Sequence, residues 1–342
     1  MNSRSLIPVI AAVLFLCGLI LMFSLTPAVQ QEPTEPDDTT EYIQQTTEET
    51  TQHSTEATTQ APTEPPTEPP TEAPDTQLPE GQSITATHGF VYDCREERLL
   101  FALGDTREQV APASLTKLLT AYVALKYLPE DQVITVGEEI NAIDPESSIA
   151  ALQVGNELTA GMLVQGLIMQ SGNDAAYTLA AAAGRQIAGD NSLSWEMAVG
   201  VFMDEMNAQA RQLGMSNTHF MNPDGIDADG HYTCVSDLIT ISLAVMENES
   251  IMAYAGMATS YVTFESGQDY VWKNSNYLLH DDLDFYCPEA IGLKTGSTAA
   301  AGKCLIALFQ RADGSMLLTG VLGSASDGER YTDIMTLYER YK

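Results

Sequence analysis

The sequence predicts an α+β fold. One domain, residues 83–342, is expected to build an antiparallel sheet from both its ends and to hold a mainly helical body between them. Three observations predict it. Residues 89–103 alternate as two strands around a charged turn. Residues 114–246 carry helical apolar spacing, broken at intervals by Gly, Asn and Pro. After residue 290 the period changes to that of strands.

The elements follow in order. From Ser114, the spacing of Leu118, Leu119, Tyr122, Val123 and Leu125 predicts a helix that Pro129 ends. Thr159 is placed to cap a second apolar helix over 159–169, which stops at Ser171, Gly172 and Asn173. An alanine-rich helix is expected from about Asp174 to Ala183, with Gly184 as terminator. Residues 196–212 read as an amphipathic helix ending before Gly214, and Asn222–Gly225 as a turn. Ser236 is expected to cap a helix through Met246. Strands are expected at Ile291–Lys294, Lys303–Gln310 and Met316–Leu322, split by turns at Thr298–Gly302 and Asp313–Gly314. A helix over residues 327–341 closes the chain.

Ahead of this domain lie two segments of different character. Residues 1–28 hold an uncharged apolar run over 6–25, preceded by Arg4. About 20 such residues suffice to cross a hydrocarbon core, and the basic flank keeps the N-terminus inside. The run reads as an anchor, or as a secretion signal if Thr26-Pro27-Ala28 is cut. Residues 29–82 read as a disordered Thr/Glu/Pro-rich tether: between 31 and 82 there are 13 acidic residues and no Lys or Arg, with a PTEPPTEPPTEAP repeat over 62–74. Such a chain would span roughly 40 Å, more with Pro and like-charge repulsion.

Taking the tether's −13 and the +1 of Arg4 from the formal −32 leaves −20 on residues 83–342. That excludes nucleic acid as a partner, because phosphate binding needs basic surface. Cys94 and Cys304 sit in strand-like apolar runs and read as buried thiols. The histidines and cysteines are too scattered to make a metal site, and no cofactor motif appears. His219, His231, Trp195 and Trp272 are assigned loop or packing roles, as is the Met-rich helix at 197–215.

Chemistry concentrates in three short segments. Ser114 and Lys117 are three residues apart at a helix start, so hydroxyl and amine share one face. A desolvated lysine can take the proton of a serine and make it a nucleophile. Ser171-Gly172-Asn173 and Lys294-Thr295-Gly296 complete the set. Alone, each is ordinary: a solvated lysine near a helix start, a turn, a strand end. Their order and settings together are specific, and such triple sets mark penicillin-binding proteins and class A β-lactamases.

On these residues the globular part resembles the D-alanyl-D-alanine carboxypeptidase family, the low-molecular-mass serine penicillin-binding proteins. The matching stretches are Pro112–Lys117, Ser171–Ala175 and Gly292–Thr298. Met206-Asn207, Leu213–Met215, Asn222–Gly225, Asn274–Leu279 and Ala301–Cys304 agree as well. The resemblance implies a β-lactamase/transpeptidase-like fold and an enzyme that trims the terminal D-alanine from peptidoglycan stem peptides ending in D-Ala-D-Ala. It implies acylation by β-lactam antibiotics, a role in cell-wall remodelling, and no cofactor.

It also implies roles. Ser114 forms the acyl-ester and Lys117 is its base, its ammonium disfavoured by burial and by the neighbouring charge of Lys294. Ser171 relays a proton to the leaving amine. Asn173 orients Lys117 and holds the substrate amide while capping its helix. Lys294 and Thr295 bind the terminal carboxylate, Gly296 allows close approach, and the N–H groups of Ser114 and Ser297 form the oxyanion hole. Members often carry a second β-domain and a C-terminal amphipathic anchor; here residues 6–25 and the stalk are expected to attach the domain outside a bacterial cell membrane, or to release it if cut.

Two rivals are weighed. A class A-type β-lactamase should have Asp where Gly172 stands and a deacylating glutamate in a loop, whereas Glu196 and Glu205 fall on a helix. A non-catalytic wall-binding protein would have no need of intact Ser114, Lys117, Ser171 and Lys294.

Overall fold

The computed structural model describes residues 73–342. The apolar segment 6–25 and the tether up to residue 72 lie outside the described residues. Strands β1 (His88–Asp93) and β2 (Arg98–Leu103) pair antiparallel. A 3-10 turn at Ala113–Leu115 leads into helix α1 (Thr116–Tyr127). Short strands β3 (Val133–Thr135) and β4 (Glu157–Thr159) form a small ladder ahead of α2 (Ala160–Met169). Then come α3 (Asn173–Ala188), α4 (Trp195–Gln212), α5 (Val235–Met246) and α6 (Glu249–Gly256). The hairpin β5 (Thr259–Thr263) and β6 (Asp269–Lys273) precedes β7 (Ala290–Thr298), β8 (Gly302–Gln310), β9 (Met316–Ser324) and α7 (Asp327–Tyr341).

The main sheet runs β2-β1-β9-β8-β7, antiparallel throughout. The two ends of the domain therefore meet at β1 and β9, as the sequence predicts. Period-two alternation sends β8 into two cores. Cys304, Ile306 and Leu308 face the helical body, while Leu305, Ala307 and Phe309 face α7. Covering on both sides explains why β8 and β9 read as continuous apolar runs. On the α7 side, Phe309 stacks on Tyr338 with centroids 4.0 Å apart.

Several boundaries differ from expectation. Gly184 does not end the alanine-rich helix, which continues to Ala188 and stops at Gly189 in the left-handed region, φ 65°. Gly184 instead lets α4 approach: a Cβ there would lie 1.8 Å from the Ala198 carbonyl oxygen. Cys234, not Ser236, holds the cap position of α5, and no side chain caps it. Thr159 does cap α2, accepting from the Met162 N–H at 3.2 Å.

Composition placed the tether's end at residue 82, yet Asp75 is already docked on the sheet. Its N–H donates to the Leu100 carbonyl and its own carbonyl accepts from Ala102, both at 2.8 Å. The Asp75 carboxylate also pairs with Arg340 of α7 at 2.9 Å. Among the described residues the four cysteines are free thiols, with Cys94 only half-buried. Trp272 is buried and donates to the Ala150 carbonyl at 3.1 Å, a packing role.

Candidate active site

The Ser114 segment is held from outside its own helix. Ala113, just before Ser114, has φ 49°, a left-handed conformation that costs energy in a residue with a Cβ. Thr116 Oγ1 donates to the Ala113 carbonyl at 2.8 Å and lies 3.0 Å from His231 Nε2. His231 Nδ1 accepts from the Met221 N–H at 3.0 Å, which assigns the ring proton to Nε2 and makes Thr116 its acceptor. Burial pushes the His231 pKa down to about 4, so the ring is neutral and structural.

Lys117 is completely buried and all three of its protons are engaged. Nζ donates to Ser114 Oγ at 2.9 Å, to Asn173 Oδ1 at 2.7 Å and to the Asp224 carbonyl at 2.5 Å. Burial lowers its pKa to about 8, against the pull of the Asp224 and Asp174 carboxylates. Asp224, from the Asn222–Gly225 turn, is thus part of the site that sequence reasoning left out; its motif was the available signal.

The second segment joins α2 to α3. Ser171, at φ 56°, is 5% exposed. Gly172 is required by crowding: a Cβ would lie 2.7 Å from Asp174 Oδ1 and 2.9 Å from the Ala150 nitrogen. The Asp174 carboxylate accepts from the N–H groups of Ala150, Leu152 and Ala175 at 2.8–2.9 Å, although burial still raises its pKa. Asn173 turns its carbonyl to Lys117 and caps no helix; Gly172 holds the cap position. The expected helix cap is thus not made by Asn173.

The third segment runs along β7, at the sheet edge. Lys294 is 1% exposed and donates to the Thr295 carbonyl at 2.9 Å. Burial, then the charges of Lys117 and Arg330, hold it well below an ordinary lysine. Burial is the first cause of the Lys117 shift, and Lys117 and Lys294 repel one another as neighbouring cations. Thr295 Oγ1 lies 2.7 Å from Ser275 Oγ. Arg330 of α7 is 7% exposed and points Nη1 at the Gly296 carbonyl, 3.4 Å away. Arg330 was not singled out from sequence, and Ser275 appeared only within the matching stretch Asn274–Leu279.

Gly296 meets the Ser114 turn directly: a Cβ there would lie 3.3 Å from the Ser114 nitrogen. Ser114, Asn173 and Ser297 open on one cleft of about 400 Å³, whose far wall includes Ser148 and Ile226. Lys117, Ser171, Lys294 and Thr295 are buried around it. A larger hollow of about 660 Å³ lies against Phe285, Tyr331 and Met335, without any of these groups. The smaller cleft is the one on which the three sequence segments converge. Among the described residues no cluster of three or more His, Cys, Asp or Glu is arranged for a metal.

A buried amine on a serine hydroxyl, with a second serine turn and a buried Lys-Thr-Gly strand, suits acyl transfer. The sequence profile of the D-alanyl-D-alanine carboxypeptidase family matches residues 73–326. The chain belongs to that family. D-alanyl-D-alanine carboxypeptidase DacC of Escherichia coli is 31% identical over 75% of this chain. The curated relatives are longer: the chain spans 57–61% of the length of the first two. The DD-transpeptidase of Streptomyces K15 superposes with a TM-score of 0.68 at 29% identity, covering 75% of this chain and 97% of that one. Penicillin-binding protein D2 of Listeria monocytogenes, in its ampicillin-bound form, superposes at 0.60 with 26% identity, covering 75% and 97%. The family's α+β transpeptidase-like fold is the one described above. The family profile begins at residue 73, where the described residues also begin.

Proposed function

We propose that the chain is a serine-type D-alanyl-D-alanine carboxypeptidase acting on peptidoglycan stem peptides, with Ser114 as nucleophile. One observation carries the reading: the fully buried Lys117 amine lies 2.9 Å from Ser114 Oγ. With a pKa of about 8, roughly a tenth of Lys117 is neutral at pH 7. In that state Asn173 and Asp224 keep two N–H bonds, and the freed lone pair accepts the Ser114 proton.

Ser114 Oγ then bonds to the carbonyl carbon between the two D-alanines, whose oxygen is held by the Ser114 and Ser297 N–H groups. The C–N bond breaks as the proton taken up by Lys117 passes through Ser171 to the leaving amine, which returns Lys117 to its neutral form. Water next attacks the ester; Lys117 takes its proton, and Ser114 leaves with one. Asn173 holds the substrate amide. The Thr295 hydroxyl, with Lys294 and Arg330 behind it, takes the terminal carboxylate. An arriving anion offsets the repulsion among these cations and suits a cleft on an otherwise acidic domain.

β-Lactams would acylate the same serine. Residues 6–25 would anchor the domain outside a bacterial membrane and the segment after them would act as its tether, a reading that rests on sequence. Among the described residues no helix is long and apolar enough to cross a membrane.

The test uses residues 73–342, incubated with benzylpenicillin and with a pentapeptide ending in D-Ala-D-Ala. A stable adduct on Ser114 by mass spectrometry, with release of D-alanine, is expected. An adduct elsewhere, or one that persists in Ser114→Ala, would overturn the assignment; rapid penicillin turnover would point to a β-lactamase.

A further inference from the structure

We infer that Ser275 is a positioning residue for the terminal-carboxylate subsite, its hydroxyl donating to Thr295 Oγ1 so that the Thr295 proton is aimed at the substrate anion. The inference rests on the functional reading above, which assigns that subsite to Thr295.

The two hydroxyl oxygens are 2.7 Å apart, and either can donate. A bound carboxylate decides the direction, because it only accepts hydrogen bonds. If Thr295 gave its one proton to Ser275, it would present lone pairs to an anion. The arrangement that binds is a chain, Ser275 O–H to Thr295 O–H to carboxylate, in which each bond strengthens the next. Without Ser275, the Thr295 hydroxyl is free to rotate and part of its orientation must be bought at binding.

Ser275 is built to hold that direction. Its N–H donates to the Met169 carbonyl at 2.9 Å, two residues before Ser171. Its carbonyl accepts from Tyr331 Oη at 3.0 Å, next to Arg330. Buried Asn274 clamps the segment by donating to the Ala255 and Met257 carbonyls at 3.1 and 2.9 Å. One residue thus links the end of α2, two residues before Ser171, with β7 and α7, which carry Thr295 and Arg330. The backbone bonds survive replacement of the side chain, so the hydroxyl can be tested by itself.

The experiment compares acylation of wild type, Ser275→Ala and Ser275→Thr by benzylpenicillin, which bears a free carboxylate, and by its methyl ester. Ser275→Ala is expected to acylate about three- to ten-fold more slowly with the acid, the range of one neutral hydrogen bond, and at the wild-type rate with the ester. The loss should fall on apparent affinity rather than on the limiting rate, and Ser275→Thr should recover it. An unchanged acid-to-ester ratio in Ser275→Ala, including equal losses for both, overturns the role of Ser275 alone. Wild type that takes up no penicillin on Ser114 overturns the functional reading, and this inference with it.

Discussion

Gly225 approaches Ala113 more closely than any side chain at position 225 would permit: a Cβ there would sit 1.9 Å from the Ala113 carbonyl oxygen. Gly225 also has φ 92°, and its N–H donates to Asn222 Oδ1 at 2.8 Å. The same turn reaches Lys117 through the Asp224 carbonyl. It therefore buttresses the strained residue before Ser114 and holds Lys117 after it. Gly225→Ala is expected to cost about 1–3 kcal/mol from backbone strain alone and to slow Ser114 acylation at least ten-fold by displacing the turn. Urea unfolding and penicillin labelling measure the two effects; wild-type acylation would show that the contact does not position Ser114.

The Lys117 pKa sets a pH dependence. Only the neutral amine accepts the Ser114 proton, so acylation should rise about ten-fold per pH unit below pH 8 and level off above it. The inflection belongs to the coupled Lys117–Lys294 pair as measured, since each biases the other's protonation. Lys117→Ala should still bind penicillin but acylate about 10²–10⁴ times more slowly, without that inflection. A flat wild-type profile between pH 6 and 9, followed by stopped-flow or gel labelling, would remove Lys117 from the role of base.

Asp224 offers a test of the cause of that pKa. Its carboxylate is the first of the charges holding Lys117 up against burial. Removing the negative charge leaves burial less opposed, so the Lys117 pKa falls further. Asp224→Asn should therefore move the acylation inflection to lower pH, raising the rate under mildly acidic conditions relative to its own plateau. The carbonyl that accepts from Lys117 belongs to the backbone and is retained. A shift to higher pH would contradict the assignment of that carboxylate as the opposing charge.

What could be read from sequence divides along a physical line. Ser114 and Lys117 were legible as a pair because three residues of helix put them on one face, and β1 with β7–β9 were legible from their period. The burial of Lys117 was expected only through the family resemblance, because its partners Asn173 and the Asp224 carbonyl lie 56 and 107 positions away. Gly184 looked like a helix end, since a glycine required by the approach of α4 and one required by a turn are the same letter. Ser275 stood within the matching stretch Asn274–Leu279 without a role and Arg330 gave no signal, because nothing local distinguishes a hydroxyl or guanidinium that faces a site from one that faces solvent.

The boundary at residue 82 was set by composition, since residues 73–82 continue the acidic, Pro-containing character of the tether. Composition does not reveal backbone pairing. Asp75 exchanges hydrogen bonds with Leu100 and Ala102 at the free edge of β2, and its carboxylate accepts from Arg340 and from Tyr341 Oη at 2.7 Å. Leu78 and Ile84 pack against the core beneath α7. A protein starting at residue 83 loses the edge pairing and the tie to α7, while Ser114 and its partners lie across the sheet on the other side. It should melt about 2–8 °C below a protein starting at residue 73, with the rate of Ser114 acylation unchanged at 25 °C. Equal melting temperatures by calorimetry would return residues 73–82 to the tether; a parallel loss of acylation would mean that the strap reaches the cleft through the sheet.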